Sequence, residues 1–250
     1  MRDLHMHSVY SDGKNTPEEM VAAALERGMS VAGLSEHSHA EHDPCSMPLE
    51  KRAAYRAEME RLRRLYAGRI EIRCGLERDY YADDQEDYDY IIGSVHALRM
   101  RDGQYVYIDW SPERLEEGTE KYFGGDWYAM AEEYFRLVGN VVRQTRCDLI
   151  GHFDLVSKFN EKARWFDPEH PRYRQAWQSA ADALLKTGKP FEINTGAISR
   201  GYRTEPYPGR EILQYLQSRG AKLMLSSDAH RKEDIGFQFE RWAASFGLDL

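Results

Sequence analysis

The chain is poor in cysteine, has no excess of positive charge and lacks long apolar runs, and each shortage excludes a class of protein. Its cysteines, Cys45, Cys74 and Cys147, are odd in number and far apart, which fits neither a disulfide framework nor a zinc finger. No apolar run approaches the length that crosses a bilayer. Residues 1–5 already resemble a ligand-bearing strand, so we expect no export signal. The resulting prediction is a cytoplasmic protein without membrane contact.

The charge balance is acidic. Lys and Arg number 34 against 42 Asp and Glu, and the net charge of -8 argues against general attraction to nucleic acid. With 42% hydrophobic residues, 12% aromatic residues and a mean hydropathy of -0.72, the chain can form a core beneath a polar surface. No repeat, low-complexity tract or linker divides it. Residues 1–250 are therefore predicted to form one domain.

Strand-like and helix-like segments alternate along the chain. Strands are predicted at 3–6, 30–34, 70–76, 90–95, 148–151, 190–193 and 222–225. Helices are predicted at 17–27, 49–67, 127–146, 172–187 and 208–219, with an acidic, aromatic insertion at 99–125 and no helix after the last strand. Thr16, Pro17 and Glu19 form a capping box with proline at the first helical position. This alternation predicts an α/β barrel of about seven β/α units.

Side chains that can bind metal ions follow the predicted strands. In a β/α barrel the carboxyl ends of the strands meet on one face, so residues at these ends line one mouth. His5 and His7 are two residues apart and would point to the same side of a strand, although such a pair alone is a weak signal. The order along the chain indicates a metallo-enzyme whose ligands are His5, His7, His37, Glu77, His96, His152, Asp228 and His230.

The residues around these positions resemble the polymerase and histidinol phosphatase (PHP) superfamily. His5-Met6-His7-Ser8 and the turn Ser11-Asp12-Gly13 resemble its opening motif. The later motifs follow in order as Glu36-His37, Gly75-Leu76-Glu77, Gly93-Ser94-Val95-His96, Gly151-His152-Phe153-Asp154 and Ser227-Asp228-Ala229-His230. The resemblance covers nearly the whole chain. One departure is Arg78, which follows Glu77 where a small apolar residue is commoner, so the packing near Glu77 is in question.

The resemblance implies a distorted (β/α)7 barrel of the PHP type, with up to three divalent metal ions at the carboxyl ends of the strands. Zinc, manganese and iron remain open, because mixed nitrogen and oxygen ligands do not decide among them. Glu77 would bridge two ions. The implied ligand sets are His5, His7, Glu77 and Asp228 for one ion, Glu77, His96 and His152 for a second, and Asp12, His37 and His230 for a third.

A site of this kind favours phosphate ester chemistry. Three divalent cations would outweigh the carboxylates of Asp12, Glu77 and Asp228, and two bridged ions can convert a shared water into a hydroxide that attacks phosphorus. Lys158 and Arg200 resemble basic residues that grip phosphate in the family's histidinol phosphatase branch, and Arg203 is a reserve candidate. Metal-bound water, Asp228 or His230 would supply the proton to the leaving group.

Other polar residues have plainer interpretations. His39 and His42 are expected in a solvated loop, with one of them holding a metal ligand through a hydrogen bond rather than binding metal directly. Glu36 either orients a ligating imidazole or is structural. His170 is expected at the surface and Cys74 in the core. Either Tyr105 or Tyr107 could border the substrate.

The insertion points to a substrate. Asp109-Trp110-Ser111-Pro112 resembles the monofunctional histidinol-phosphate phosphatases, and its carboxylates and aromatic rings complement an ammonium and an imidazole group. The main hypothesis is hydrolysis of L-histidinol phosphate, a small phosphomonoester of histidine biosynthesis. One alternative is a PHP nuclease or nucleotide phosphatase, which would need a basic groove. Another is a metal-binding scaffold without turnover, which would be expected to have lost ligands.

Overall fold

Nine strands lie within residues 1–82 and 87–250, which the computed structural model describes. They are β1 (Arg2–Asp3), β2 (Val31–His37), β3 (Glu71–Asp79), β4 (Tyr90–Ser94), β5 (Ala97–Arg99), β6 (Tyr105–Tyr107), β7 (Leu149–Ile150), β8 (Phe191–Asn194) and β9 (Leu223–Ser226). Seven of them form one parallel sheet in the order β1-β2-β3-β4-β7-β8-β9, while β5 and β6 form an antiparallel hairpin. The number of parallel strands is the number predicted.

The two edge strands of the sheet, β1 and β9, approach each other beyond their carboxyl ends. Met6 and Ala229 form an isolated parallel bridge, and the His7 amide donates to the Ala229 carbonyl at 2.9 Å. Regular pairing is short here, because β1 has two residues rather than the predicted four. The sheet is therefore a nearly closed, distorted barrel of seven parallel strands, which confirms the predicted fold class.

Helices surround this barrel. They are α1 (Pro17–Glu26), α2 (Arg52–Leu65), α3 (Pro112–Phe123), α4 (Trp127–Val138), α5 (Val141–Thr145), α6 (Asn160–Ala163), α7 (Pro171–Leu185), α8 (Gly196–Ser199), α9 (Arg210–Ser218) and α10 (Phe239–Phe246). The capping box predicted for α1 is present: the Thr16 hydroxyl accepts from the Glu19 amide at 3.3 Å, and the Glu19 carboxylate accepts from the Thr16 amide at 2.8 Å. None of the described helices has the length and hydrophobicity that a membrane span needs.

The structure corrects three of the predicted elements. The helix predicted at 127–146 is two helices, α4 and α5, separated by Gly139 and Asn140. Gly139 packs against α7, and a Cβ atom there would lie 3.2 Å from the Ala180 Cα atom. The insertion at 99–125 contains β6 and α3, and Ser111 caps α3. Helix α10 follows β9 although none was predicted, since it begins after Gln238 without a capping side chain. A missing start signal explains that omission.

The barrel interior has an apolar lower part and a polar upper part. Leu4, Tyr90, Ile92 and Leu149 form a small buried cluster, separate from the two larger clusters that pack helices against the sheet. Paired residues of neighbouring strands point to the same side, and Ile92 pairs with Glu77. Glu77 therefore projects into the same interior. β3 continues to Asp79, three residues beyond the predicted strand, so Glu77 lies within the strand rather than after it.

Tyr90 fills the space left by glycines on two neighbouring strands. Its hydroxyl donates to the Leu4 carbonyl at 2.5 Å, and a Cβ atom at Gly75 or Gly33 would overlap its ring or hydroxyl. We expect Gly75→Ala to lower the free energy of unfolding by about 1–3 kcal/mol, because the paired strands cannot move apart. Urea denaturation measures this change. In a Tyr90→Ala background the same substitution should cost less, and an equal cost in both backgrounds would contradict the overlap.

Candidate metal centre

The polar upper part of the barrel collects the nine side chains that the sequence proposes as metal ligands. They come from the carboxyl ends of six strands and, for Asp12, from the loop after β1, where parallel strands direct their side chains to one face. Most are buried, and those nearest the opening retain partial exposure. The nine residues are His5, His7, Asp12, His37, Glu77, His96, His152, Asp228 and His230.

Glu77 lies at the middle of this group and is 1% exposed. Its Oε1 is 2.8 Å from Nε2 of His152 and 3.2 Å from Nε2 of His96. Its Oε2 is 3.2 Å from Nε2 of His5 and 2.9 Å from Nδ1 of His37. One carboxylate therefore touches imidazoles from four strands with both oxygens, a geometry suited to bridging two cations.

Donor atoms converge in three overlapping groups, each within 4.8 Å. The groups are His7, Asp12, His37 and His230; His5, His7 and Asp228; and His37, Glu77 and His96. They resemble the implied ligand sets but differ in their members: Glu77 is absent from the His5 group, and His37 takes the place of His152 beside Glu77 and His96. His7 also reaches the Asp12 group, and His37 faces both Glu77 and Asp12, with Nε2 3.6 Å from the Asp12 Oδ1 atom. His37 thus stands between two of the expected sites.

Several of these atoms have no hydrogen bond within the described part of the chain. They are Nε2 of His5, both ring nitrogens of His7, Oδ1 of Asp12, Oε2 of Glu77 and Nδ1 of His152. Buried polar atoms are almost always satisfied, so such a concentration requires an explanation. Converging lone pairs of nitrogen and oxygen match the donor set of zinc, manganese or iron. These residues therefore fit divalent metal ions.

The clustered groups shift one another's pKa values. Burial opposes ionisation of Glu77, but three neighbouring imidazoles hold its pKa well below the usual value. Burial likewise opposes ionisation of Asp228, and Arg200 contributes most to lowering the pKa of that carboxyl. Burial and two adjacent histidines lower the pKa of His7 to about 3. Burial opposes protonation of His37, but Glu77 and Asp12 raise its pKa to about 10, and neighbouring carboxylates likewise raise the pKa of His5 and His96 against the effect of burial. Metal binding at these three rings must therefore release protons.

Two carboxylates that the sequence analysis missed orient the imidazoles. Glu192 lies 2.5 Å from Nδ1 of His5 and also accepts from the His152 amide at 2.9 Å. Asp79 lies 3.3 Å from Nδ1 of His96. In each ring the other nitrogen, Nε2, then faces Glu77. The available signal was strand spacing, because Asp79 is two residues after Glu77 on the same face of β3.

Two roles were considered for Glu36, orienting a ligating imidazole or stabilising the structure, and its contacts fit the structural role. Its buried carboxylate accepts four hydrogen bonds, from the amides and hydroxyls of Ser8 and Ser11, and it makes no imidazole contact within the described residues. These bonds fix the loop that carries Asp12. The same loop passes so close to the His7 carbonyl that a Cβ atom at Gly13 would lie 2.5 Å from it. Only glycine fits there.

The basic candidates separate into two groups. Lys158 and Arg200 line a cavity of about 300 Å³ above the cluster. Arg200 donates to the carbonyl and carboxylate of Asp228 at 2.8 and 3.0 Å, and these contacts help hold Asp228 in its left-handed backbone conformation. Arg203, by contrast, is buried against Asp154 and Ser157 and lines a different hollow. The reserve candidate therefore lies outside the cavity.

The structure also shows the surroundings of the residues to which the sequence analysis gave plainer interpretations. His42 lines the cavity, stacks on Tyr105 at 4.0 Å, and burial lowers its pKa. Tyr107 lines the cavity, whereas Tyr105 does not. His170 is half-buried rather than at the surface, because it caps α7 and stacks on Tyr128. Cys74 is buried as predicted, and burial raises its pKa to about 12.

Arg78, the departure from the motif, points away from the cluster. Its guanidinium donates to the Thr145 carbonyl at 2.9 Å. Glu77 and Arg78 are successive residues of β3, so their side chains leave opposite faces of the sheet. A long side chain at position 78 is therefore compatible with Glu77 in the interior.

A nearly closed barrel of seven parallel strands, with clustered histidines and carboxylates at their carboxyl ends, defines a polynuclear metal-binding α/β barrel. The chain belongs to the PHP domain family, whose sequence profile matches residues 3–196. It is 31% identical to the "Probable histidinol-phosphatase" of Deinococcus radiodurans, over 95% of this chain and 89% of that protein. It is 27% identical to the "Histidinol-phosphatase" of Bacillus subtilis, over 96% of this chain and 97% of that protein.

A solved structure has the same fold. The histidinol phosphate phosphatase of Lactococcus lactis, in complex with zinc, L-histidinol and phosphate, superimposes with a TM-score of 0.75. The match covers 99% of this chain and 94% of that chain at 22% identity. At this level of identity the likeness concerns the fold.

We expect Glu192→Gln to weaken divalent metal binding about 10- to 100-fold, because a neutral amide holds the His5 ring less firmly and makes it a poorer donor. Metal content after dialysis against a graded chelator measures this loss. Glu240→Gln, at an exposed position on α10, is the matched control. Both variants should keep the wild-type circular dichroism spectrum. Wild-type metal retention by Glu192→Gln would show that His5 does not depend on this carboxylate.

Proposed function

We propose that the protein is a metal-dependent phosphomonoesterase that hydrolyses L-histidinol phosphate to L-histidinol and phosphate. The observation that carries the proposal is the cavity, which Lys158, Arg200, Asp109 and Trp110 line together with residues of the Glu77 cluster. The two basic residues suit a phosphoryl group, and Asp109 and Trp110 suit an amine-bearing ring compound. The names of the curated relatives support the same substrate.

Within this proposal the cluster holds up to three divalent ions, which are zinc, manganese or iron. His5, His7, Glu77 and Asp228 would hold one, Glu77, His96 and His152 a second, and Asp12, His37 and His230 a third. Bound ions would supply Lewis acidity and a water of lowered pKa. The converging donor atoms and the unsatisfied buried atoms support metal binding by this cluster.

The chain's own residues position the ester. Lys158 is held by the Asp109 carbonyl at 2.8 Å, and Arg200 by Asp228, so both cations are fixed before substrate binds. Fixed cations stabilise the charge that develops on the phosphoryl oxygens without reorganisation. The leaving alkoxide requires a proton, and among the chain's own groups Asp228 or His230 is placed at the cavity to deliver it. We accordingly count Glu77, Asp228, His230, Lys158 and Arg200 as the catalytic set.

The wider assignment follows the same reasoning. Residues 1–250 would act as one domain in histidine biosynthesis, in the cytoplasm, on a small phosphomonoester rather than on nucleic acid. The net charge of -8 and the carboxylates at the cavity disfavour a polyanionic substrate. A scaffold without turnover is disfavoured because all nine proposed ligands are present and converge.

A panel of phosphate esters tests the proposed activity. Enzyme stripped by chelation should release no phosphate, and reloading with zinc, manganese or iron should restore activity with at least one of these metals. L-Histidinol phosphate should be preferred over nucleoside monophosphates and short DNA in kcat/KM, measured by phosphate release. A preference for nucleotides would overturn the substrate, and absence of release with every metal would favour the scaffold.

Lys158→Ala should lower kcat/KM about a hundredfold, because one fixed cation is lost from the phosphoryl group. Metal content should stay at the wild-type level, since Lys158 is not among the clustered ligands. Lys162→Ala, at an exposed neighbouring position on α6, is the matched control and should leave the kinetics unchanged. Unchanged kinetics in Lys158→Ala would remove this residue from the phosphate site.

A further inference from the structure

The hollow that Arg203 lines lies behind one wall of the cavity above the metal cluster. Its volume is about 620 Å³, and it shares no lining residue with that cavity. Five aromatic rings line it: those of Phe166, Tyr173 and Trp177 are buried, and those of Tyr128 and Trp165 are half-buried. A concave, ring-lined space of this size suits a small organic molecule.

Two buried charged residues line the hollow and are not fully paired. Asp154 is 2% exposed and Arg203 is 9% exposed. The Asp154 Oδ2 atom accepts from the Gly209 amide at 3.1 Å and from Arg203 at 3.3 Å, whereas its Oδ1 atom has no hydrogen bond within the described residues. The Arg203 Nε atom has none there either, and Glu161 lies 3.8 Å from it. Because buried polar atoms are almost always satisfied, the pair offers one acceptor and one donor to a ligand.

The charges around the hollow indicate the kind of ligand. Five carboxylates and three guanidinium groups line it, so a phosphate dianion would meet net repulsion. A free acceptor on Asp154 beside a free donor on Arg203 matches instead a molecule that carries an ammonium and a carboxylate on one carbon atom. The aromatic lining matches a flat side chain on the same molecule.

We infer that the hollow is a regulatory site for an aromatic or heteroaromatic α-amino acid. The ammonium of this ligand donates to Asp154, its carboxylate accepts from Arg203, and its ring packs among the aromatic side chains. Binding of the amino acid is independent of the proposed function. Its effect on phosphate release rests on that function.

Two pairs of neighbouring residues connect the hollow with the cavity. Ser157 and Arg203 line the hollow. The residues next to them in the chain, Lys158 and Tyr202, line the cavity. Arg203 donates to the Ser157 hydroxyl at 2.8 Å on one side of the wall, and the Lys158 Nζ atom lies 4.9 Å from the Tyr202 ring centroid on the other.

This connection predicts inhibition by the bound amino acid. A ligand carboxylate that competes with Ser157 for Arg203 moves Tyr202 and Lys158 away from the positions that they hold without ligand. Lys158 then stabilises the phosphoryl group less well. Coupling between two sites typically changes affinity by about 5- to 150-fold, and for binding it acts equally in both directions.

Calorimetric titration of the metal-loaded enzyme tests the site, with L-phenylalanine, L-tryptophan and L-histidine as probes. At least one of them should bind, and the corresponding amine without a carboxylate should bind about tenfold more weakly. Asp154→Asn should weaken binding of the amino acid about 10- to 100-fold, as expected for loss of a charged hydrogen bond. Asp182→Asn, on α7 but outside the hollow, makes the same charge change and should bind like the wild type.

Tyr128→Ala is a second test that leaves the buried pair intact. Loss of one ring should weaken binding about 3- to 10-fold. Tyr122→Ala, at a half-buried position that lines neither the hollow nor the cavity, is the matched control and should bind like the wild type. If Asp154→Asn fails to fold, the affinity of Tyr128→Ala decides.

The saturating amino acid should lower kcat/KM for L-histidinol phosphate about fivefold or more, and saturating inorganic phosphate should weaken amino-acid binding to a similar extent. No binding by any probe, wild-type affinity in both hollow variants, or binding that changes neither quantity would overturn the regulatory site. Enzyme inactive on every phosphate ester would overturn the proposed function instead. The calorimetric effect of inorganic phosphate would then still decide whether the two sites are coupled.

Discussion

The buried carboxylate of Glu77 is the group on which the site's geometry depends. A carboxylate that is 1% exposed must be compensated by hydrogen bonds or opposite charge, and Glu77 obtains its partners from four other strands. Those partners can reach it only if the strands are parallel and end at one level. The barrel thus brings distant sequence segments to a single pair of oxygen atoms.

The same constraint explains why the upper interior of the barrel is polar. Each imidazole has two nitrogens. The Nδ1 atom of His5 contacts the Glu192 carboxylate, and the Nδ1 atom of His96 contacts the Asp79 carboxylate. That contact fixes the ring and leaves Nε2 directed at Glu77. Below this layer, Tyr90 and its apolar neighbours close the barrel. Rigid packing beneath and oriented rings above give a preorganised set of donors.

The sequence predicts the order of the clustered residues well, because strand ends can be located from hydrophobic runs and their neighbours match known motifs. It does not predict Glu192, whose carboxylate contacts His5 across 187 positions of chain. Strand-end geometry likewise does not reveal that His37 faces both Glu77 and Asp12. The break between α4 and α5 lies at Gly139, which packs against α7, and the sequence pattern does not show that tertiary contact. Local pattern therefore predicts elements, and packing decides their limits.

The insertion is attached to the metal cluster through backbone atoms. The insertion is fixed to the barrel next to a clustered residue, because the Ile108 amide donates to the His96 carbonyl at 2.8 Å. This bond uses backbone atoms, so side chains of the insertion can differ without disturbing His96. Substitutions in the insertion can therefore change the lining of the cavity, to which Asp109 and Trp110 contribute, without moving the clustered residues.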